Sequence, residues 1–422
     1  MKLPFTRTWY IFGLATIVVL GIISWANATY LSPHFLSKST FIGPYAAARA
    51  FVVEGLNPYS DEAARKARAL MRKATDSRDP KSPELTLPFY GILLYVPFGL
   101  IPDVSIAFGI WMTFLELITI AIPYLVWRLA EWNAPRWMLV VFWGTWLLSL
   151  FTLQPLLTGS IVILVIFLLL SGILALLYQY EEAAGILLAF TAIKPVFIWL
   201  VLLFLFWWAF NQRRWQVFFW YISTLVIFIA LSFILLPDWL LQFLRSVYHA
   251  LEISPLRLNL LTWLSSTSAS ETRLLWILIG AFGVLFFWEF VSAKNAENRR
   301  FLWSLSLVIA VSMLLNLESH RDRLLILIVP AIVILSTFEE RLGKRGRLIV
   351  AGAMIGFSIA IWVLAAIPLF TQGGELIQIM TDLPDWFAIW LPTLTIAGLY
   401  WIRWWINHPL TSSLSTWPSK SR

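Results

Sequence analysis

The stretch 183–210, AAGILLAFTAIKPVFIWLVLLFLFWWAF, decides how this chain folds. It is long for one membrane crossing, which takes about 20 apolar residues within a range of about 17–25. It is also broken by Lys194-Pro195. An ammonium group inside apolar sequence is costly unless it snorkels, pairs or faces a wet cavity. A proline frees backbone carbonyls nearby, which suits a cavity wall. One reading is a single span; the other is a hairpin of two short helices meeting at Lys194. The positive charges arbitrate. Arg213 with Arg214, Lys294 with Arg299 and Arg300, Arg341 to Arg347, and the tail from Arg403 form basic loops expected in the cytoplasm. A hairpin brings Arg128 and Arg136 to that side as well. A single span would put 128–136 outside and leave the uncharged turn 154–158 inside. The hairpin satisfies the rule better.

Working outward, further apolar segments fall near 9–30, 104–127, 137–153, 157–179, 216–236, 272–293, 301–317, 323–339, 348–370 and 386–406. With the hairpin, the expectation is an all-α polytopic membrane protein with about twelve membrane segments and both termini cytoplasmic. The run Pro88 to Ile101 is short and bracketed by prolines, so it is expected as a helix on the outer surface. The reading is one integral-membrane domain over 1–406, with 31–103 as an outer loop and juxtamembrane helices. The polar tail 407–422 is expected to be disordered and cytoplasmic. Composition agrees: of 422 residues 60% are hydrophobic and 13% charged, and mean hydropathy is +0.79. A soluble domain could not hide that much apolar surface. The 25 Trp and 12 Tyr suit interfacial belts. The absence of cysteine excludes disulfides, thiolate nucleophiles and zinc–thiolate sites. The net charge of +8 lies beside spans and reads as topology signal and lipid-headgroup contact, not as a nucleic-acid surface. Lys2 and Arg7 precede a long apolar run without a small-residue cleavage site, so the first span is read as retained in the plasma (inner) membrane.

This topology gathers the polar groups. The loop 31–87, Gln154, Gly159, Lys194, the loop 237–271, the cluster Glu318 to Arg323 and Glu375 all land on the outer side, so a site is expected to open outward. In the first loop, TFIGPYAAARAFVVEGLNPY at 40–59, Pro44 to Glu54 reads as a helix with Gly55 just past its end. Tyr45 and Arg49, four apart, share a face. Asn57-Pro58-Tyr59 forms a turn, and Ser60 caps a second helix holding Asp61 and Glu62. Arg49 and Tyr45 either meet an anionic or sugar ligand or lie on an interfacial helix with the Arg in the headgroups. Asp61 and Glu62 also suit a first turn for the helix dipole alone. Lys194 at a break between half-helices is a candidate partner for a phosphate. His320, Arg321, Asp322 and Arg323 span a full helical turn, so only one or two can face a ligand; Arg suits phosphate oxygens. A snorkelling collar with internal ion pairs is the other reading. Glu116, near the centre of 104–127, is either functional or bonded to a neighbouring helix. His34, His249 and His408 have no metal-ligand spacing, and no phosphate-cradling glycine loop, HExxH or GxSxG occurs. No cofactor and no metal are expected.

With these residues in view, the chain resembles glycosyltransferase family 87, membrane enzymes of the GT-C class that use polyprenyl-phosphate sugars. The family's first outer loop reads Asp-Phe-x-x-Tyr-Tyr-x-Ala-Ala-Arg-Ala and then Gly-x-Asn-Pro-Tyr. Here Thr40 to Ala50 and Gly55 to Tyr59 follow that pattern. LPFYGILLYVPFGLIP, with Tyr90 and Pro97, stands where the family has a Tyr-Pro-Pro segment. Gly159-Ser160 stands at its Gly-Gln motif, and GILLAFTAIKPVFIWL, Gly185 to Leu200, matches its glycine-to-lysine-proline stretch. The resemblance implies a GT-C-like fold and transfer of a sugar, of mannosyl type, from a polyprenyl-phosphate carrier to a lipid or glycan acceptor outside. It implies donor-phosphate contacts from Arg49, Lys194, His320, Arg321 and Arg323, and sugar or acceptor contacts from Tyr45, Asn57 and Tyr59. The family's aspartate, its base, is replaced by Thr40, whose hydroxyl cannot serve as a base near neutral pH. Either Glu54, Asp61, Glu62 or Asp322 takes over, or activity is altered or lost. The alternatives are therefore a non-catalytic carrier-binding relative in envelope glycan assembly and a lipid transporter or flippase. Against the transporter stands the lack of an internal repeat.

Overall fold

The computed structural model describes residues 7–75, 85–253, 269–296, 298–315, 321–372 and 387–408. Among these the chain is helical, without a strand. It divides into two compact units interleaved along the sequence. The first comprises 1–118, 155–161 and 232–249; the second comprises 119–154, 162–231 and 250–422. Helix Val104–Leu129 contributes residues to both.

Four helical stretches are each long and apolar enough to cross a membrane: Gly13–Lys38, Val104–Leu129, Trp215–Leu235 and Asp322–Ile367. The pair Arg136–Leu147 and Leu150–Leu157, bent by 48°, makes a fifth. The expected count of about twelve is thus not matched by full-length helices among the described residues. The cause is local: Val162–Leu177 and Phe197–Asn211 are apolar but short. Gly343, at φ 58° and ψ −135°, kinks Ile328–Gln372 inside the basic stretch 341–347. Such a backbone conformation is essentially open to glycine alone.

In the first unit, Arg7–Ala26 passes into a π-helical turn at Asn27–Leu31. It crosses Val104–Leu129 at Gly109, where a Cβ would lie 2.5 Å from the Ser24 carbonyl oxygen. At this crossing Asn27 Nδ2 donates to Thr113 Oγ1 and to Glu116 Oε1, at 3.1 and 3.0 Å. Glu116 is therefore bonded to a neighbouring helix. The run expected as one surface helix at 88–101 is two short ones, Phe89–Leu93 and Val96–Gly99. Phe89, Ile92 and Tyr95 are buried, so hydrophobic burial draws this run into the unit's core.

In the second unit, Val162–Leu177 and Glu181–Phe190 form a tight antiparallel pair. The chain turns at Thr191–Ile193 and Lys194, then runs back as Pro195–Asn211. Both ends of this excursion meet at one end of the unit. Arg214 Nη1 donates to the Leu176 carbonyl, Arg128 to Tyr178 Oη, and Trp208 Nε1 to the Ala296 carbonyl. Segment 181–211 therefore enters and leaves at the same end, with Lys194 at its tip.

Candidate functional site

The site residues read from the sequence fall into two groups, one in each unit. In the first unit, helix Ile42–Glu54 ends on Gly55 at φ 64°, and the Leu56 N–H returns to the Ala50 carbonyl at 2.9 Å. This glycine cap satisfies carbonyls that would otherwise be left open. Phe41, fully buried, sits among the rings of Tyr45, Tyr95, Phe98, Phe108 and Trp111. That cluster fixes the start of the helix. Thr40 precedes it and is exposed; its N–H donates to the Thr158 carbonyl at 3.0 Å. Next to that contact, Trp111 Nε1 donates to the carbonyl of Gly159 at 2.8 Å.

Tyr45 Oη donates to the Ile101 carbonyl at 2.8 Å. Arg49 Nη1 donates to the Gly99 carbonyl at 3.0 Å and lies 3.4 Å from that of Ile101. The two side chains thus clamp the end of the 89–101 run. Gly99 lets the backbones approach: a Cβ there would lie 2.9 Å from the Arg49 nitrogen. Burial raises the Tyr45 phenol above its ordinary value, while the Arg49 guanidinium pulls it back. Asn57 shapes the turn by accepting the Tyr59 N–H at 3.0 Å, and donates to Gln242 Oε1 at 2.5 Å. Tyr59 Oη donates to the Leu87 carbonyl, and burial pushes its pKa well up. Ser60 Oγ accepts the Ala63 N–H at 3.2 Å and caps Asp61–Thr75.

Arg49 and Glu54 also line an open cavity of about 310 Å³ with Ala46, Ala50, Lys66 and Leu70. Glu54 is held there by Lys66 at 2.5 Å, and Glu62 lies 3.8 Å from the same ammonium. The hydrogen bond that Lys66 donates to Glu54 raises the Lys66 pKa. Asp61 is exposed in the first turn of its helix.

The second group surrounds the tip of the hairpin. Lys194 is part-buried, and Asp322 and Arg323 lie within electrostatic reach of it. Both are buried, at 5% and 2% exposure. The Arg323 guanidinium stacks over the Phe197 ring at 5.8 Å, one turn past Lys194. Arg321 begins the same 3₁₀ helix, Arg321–Leu327. The structure thus unites Lys194, Asp322 and Arg323. His320, Glu318, Glu375 and the tail beyond 408 lie outside the described residues. Gln242, the partner of Asn57, carries no signal in the sequence: it stands in helix Trp239–Ile253, 185 positions away, and no local pattern links the two.

The opposite end of the second unit carries a separate polar cluster. Trp132 Nε1 donates to Glu339 Oε2 at 2.7 Å, Arg347 pairs with Glu339 at 2.9 Å, and Arg299 pairs with Glu340 at 2.6 Å. These residues line a cavity of about 300 Å³. Trp208 and Arg214 belong to that same end, so the hairpin tip is remote from it in its own unit.

Comparison with known proteins finds one family. The model of glycosyltransferase family 87 matches residues 86–317, more than half of the chain. No curated protein and no solved structure matches. The matched range includes Tyr90, Gly159 and the Lys194 hairpin; the first-loop residues 40–59 and Arg321 to Arg323 fall outside it.

Proposed function

The chain belongs to glycosyltransferase family 87, and on that premise we propose that this membrane glycosyltransferase moves a sugar, of mannosyl type, from a polyprenyl-phosphate carrier to a lipid or glycan acceptor at the outer face of the plasma membrane. One observation carries the reading: two cations and a carboxylate gather at the tip of an apolar hairpin. Charges there are costly unless they serve a partner or a wet cavity. A phosphate that gains charge as it leaves is such a partner, and fixed cations stabilise it most when bulk water is excluded.

In this chemistry the acceptor hydroxyl oxygen bonds to the anomeric carbon. The bond from that carbon to the carrier phosphate oxygen breaks, and the phosphate leaves with the electron pair. The hydroxyl proton passes to a carboxylate. In this proposal Lys194 and Arg323 hold the phosphate, and Asp322 takes the proton. Asp322 is preferred because it is the carboxylate that lies beside both of these cations, whereas Glu54 and Glu62 face Lys66 and Asp61 stands exposed at a helix start. Tyr45, Arg49, Asn57 and Tyr59 shape the first loop through the bonds described above.

Thr40 favours a second reading, a carrier-binding relative without turnover. One experiment separates them. Purified protein in liposomes is given a mixed pool of labelled polyprenyl-phosphate sugars with lipid acceptors. Turnover by the wild type supports transfer; donor binding without turnover supports the second reading. Lys194→Ala is expected to weaken carrier-phosphate binding by about 10- to 100-fold, the loss of one charge-assisted hydrogen bond. Unchanged binding by a variant that unfolds at the wild-type temperature would overturn the role of Lys194.

A further inference from the structure

Helix Trp239–Ile253 is amphipathic in an inverted sense. Its hydrogen-bonding side faces protein. Gln242 meets Asn57, Ser246 Oγ donates to the Leu85 carbonyl at 2.7 Å, and Trp239 packs between Tyr90 and Phe233. Its apolar side faces out. Leu240, Leu241, Leu244 and Tyr248 are 40, 64, 53 and 62% exposed, and at helical spacing they share an arc of about 100°. Arg245, also exposed, stands at the edge of that arc. At 15 residues the helix is too short to cross a bilayer, which takes about 20. It follows the apolar helix Trp215–Leu235 after only Leu236, Pro237 and Asp238.

We propose that this helix lies in the plane of the membrane, its leucine face sunk into the headgroup–acyl boundary and Arg245 among the lipid phosphates. Two observations select lipid as the occupant. The chain enters the helix directly from a membrane-spanning one, so its start is fixed at the bilayer surface. The exposed face pairs aliphatic side chains with an interfacial tyrosine and a flanking cation, the composition that favours a bilayer interface. The consequence is an anchor that ties the Asn57 turn to the membrane surface through Gln242. The inference stands apart from the transferase reading.

The chain contains no cysteine, so single-cysteine labels report cleanly. Full-length Leu241→Cys and Leu244→Cys, each carrying a bimane label, would be placed in phosphatidylcholine vesicles whose lipids are brominated at shallow or deep acyl positions. Shallow bromines should quench both labels several-fold more than deep ones, and Ser246→Cys should show no such preference. Quenching by aqueous iodide without bromolipid quenching would overturn the proposal. So would shielding from both quenchers, the mark of a protein partner or a second copy. The double variant Leu241→Asp/Leu244→Asp, labelled at Tyr248→Cys, supplies a second reading: loss of shallow quenching supports the lipid contact, and unchanged quenching overturns it.

Discussion

Arg49 aims its guanidinium at two backbone carbonyls, those of Gly99 and Ile101. A charged donor to a carbonyl contributes about 1.5–3 kcal/mol. Arg49→Ala should therefore loosen the 98–101 segment, visible as faster amide hydrogen exchange there and a lower unfolding temperature. Arg49→Lys should restore part of the protection, because an ammonium reaches one carbonyl but lacks the planar fork. If Arg49 served a ligand alone, exchange in the free protein would not change. The alanine run before Arg49 and its four-residue spacing from Tyr45 were visible in sequence. Its backbone partners were not, because they lie 50 and 52 residues away. The same limit hid the tie from Asn57 to Gln242.

Helices in the hairpin region depend on close backbone approach. A Cβ on Gly185 would lie 2.6 Å from the Val217 carbonyl oxygen and 2.8 Å from Trp220 Cβ. Gly185→Ala must push Glu181–Phe190 away from Trp215–Leu235, and overpacking of this kind costs about 1–3 kcal/mol. Thermal unfolding in detergent should show the drop. Gly280→Ala, where a Cβ meets nothing within 4 Å, should leave stability unchanged or higher, since alanine is the better helix former. The helices Ile42–Glu54 and Asp61–Thr75 were legible from their own residues, because proline, a glycine stop and a serine cap act locally. In sequence the 88–101 run reads as one surface helix. Its break into two buried turns follows from packing against Phe51 and Trp111, which no local pattern encodes.

For the whole molecule the deciding test is topological. Glu182→Cys and Gln216→Cys flank the hairpin, and both native residues are exposed. An impermeant thiol reagent should modify both from the same side of the membrane. A single span at 183–210 would place them on opposite sides. The sequence by itself determined the class, an all-helical membrane protein with the features of a glycosyltransferase family, because hydropathy, basic loops and motif order are properties of the chain read in line. Only the tertiary structure decided that 181–211 turns back on itself and that Asp322 and Arg323 arrive beside Lys194. Those contacts join residues about 130 positions apart, and nothing shorter than the packed bundle brings them together.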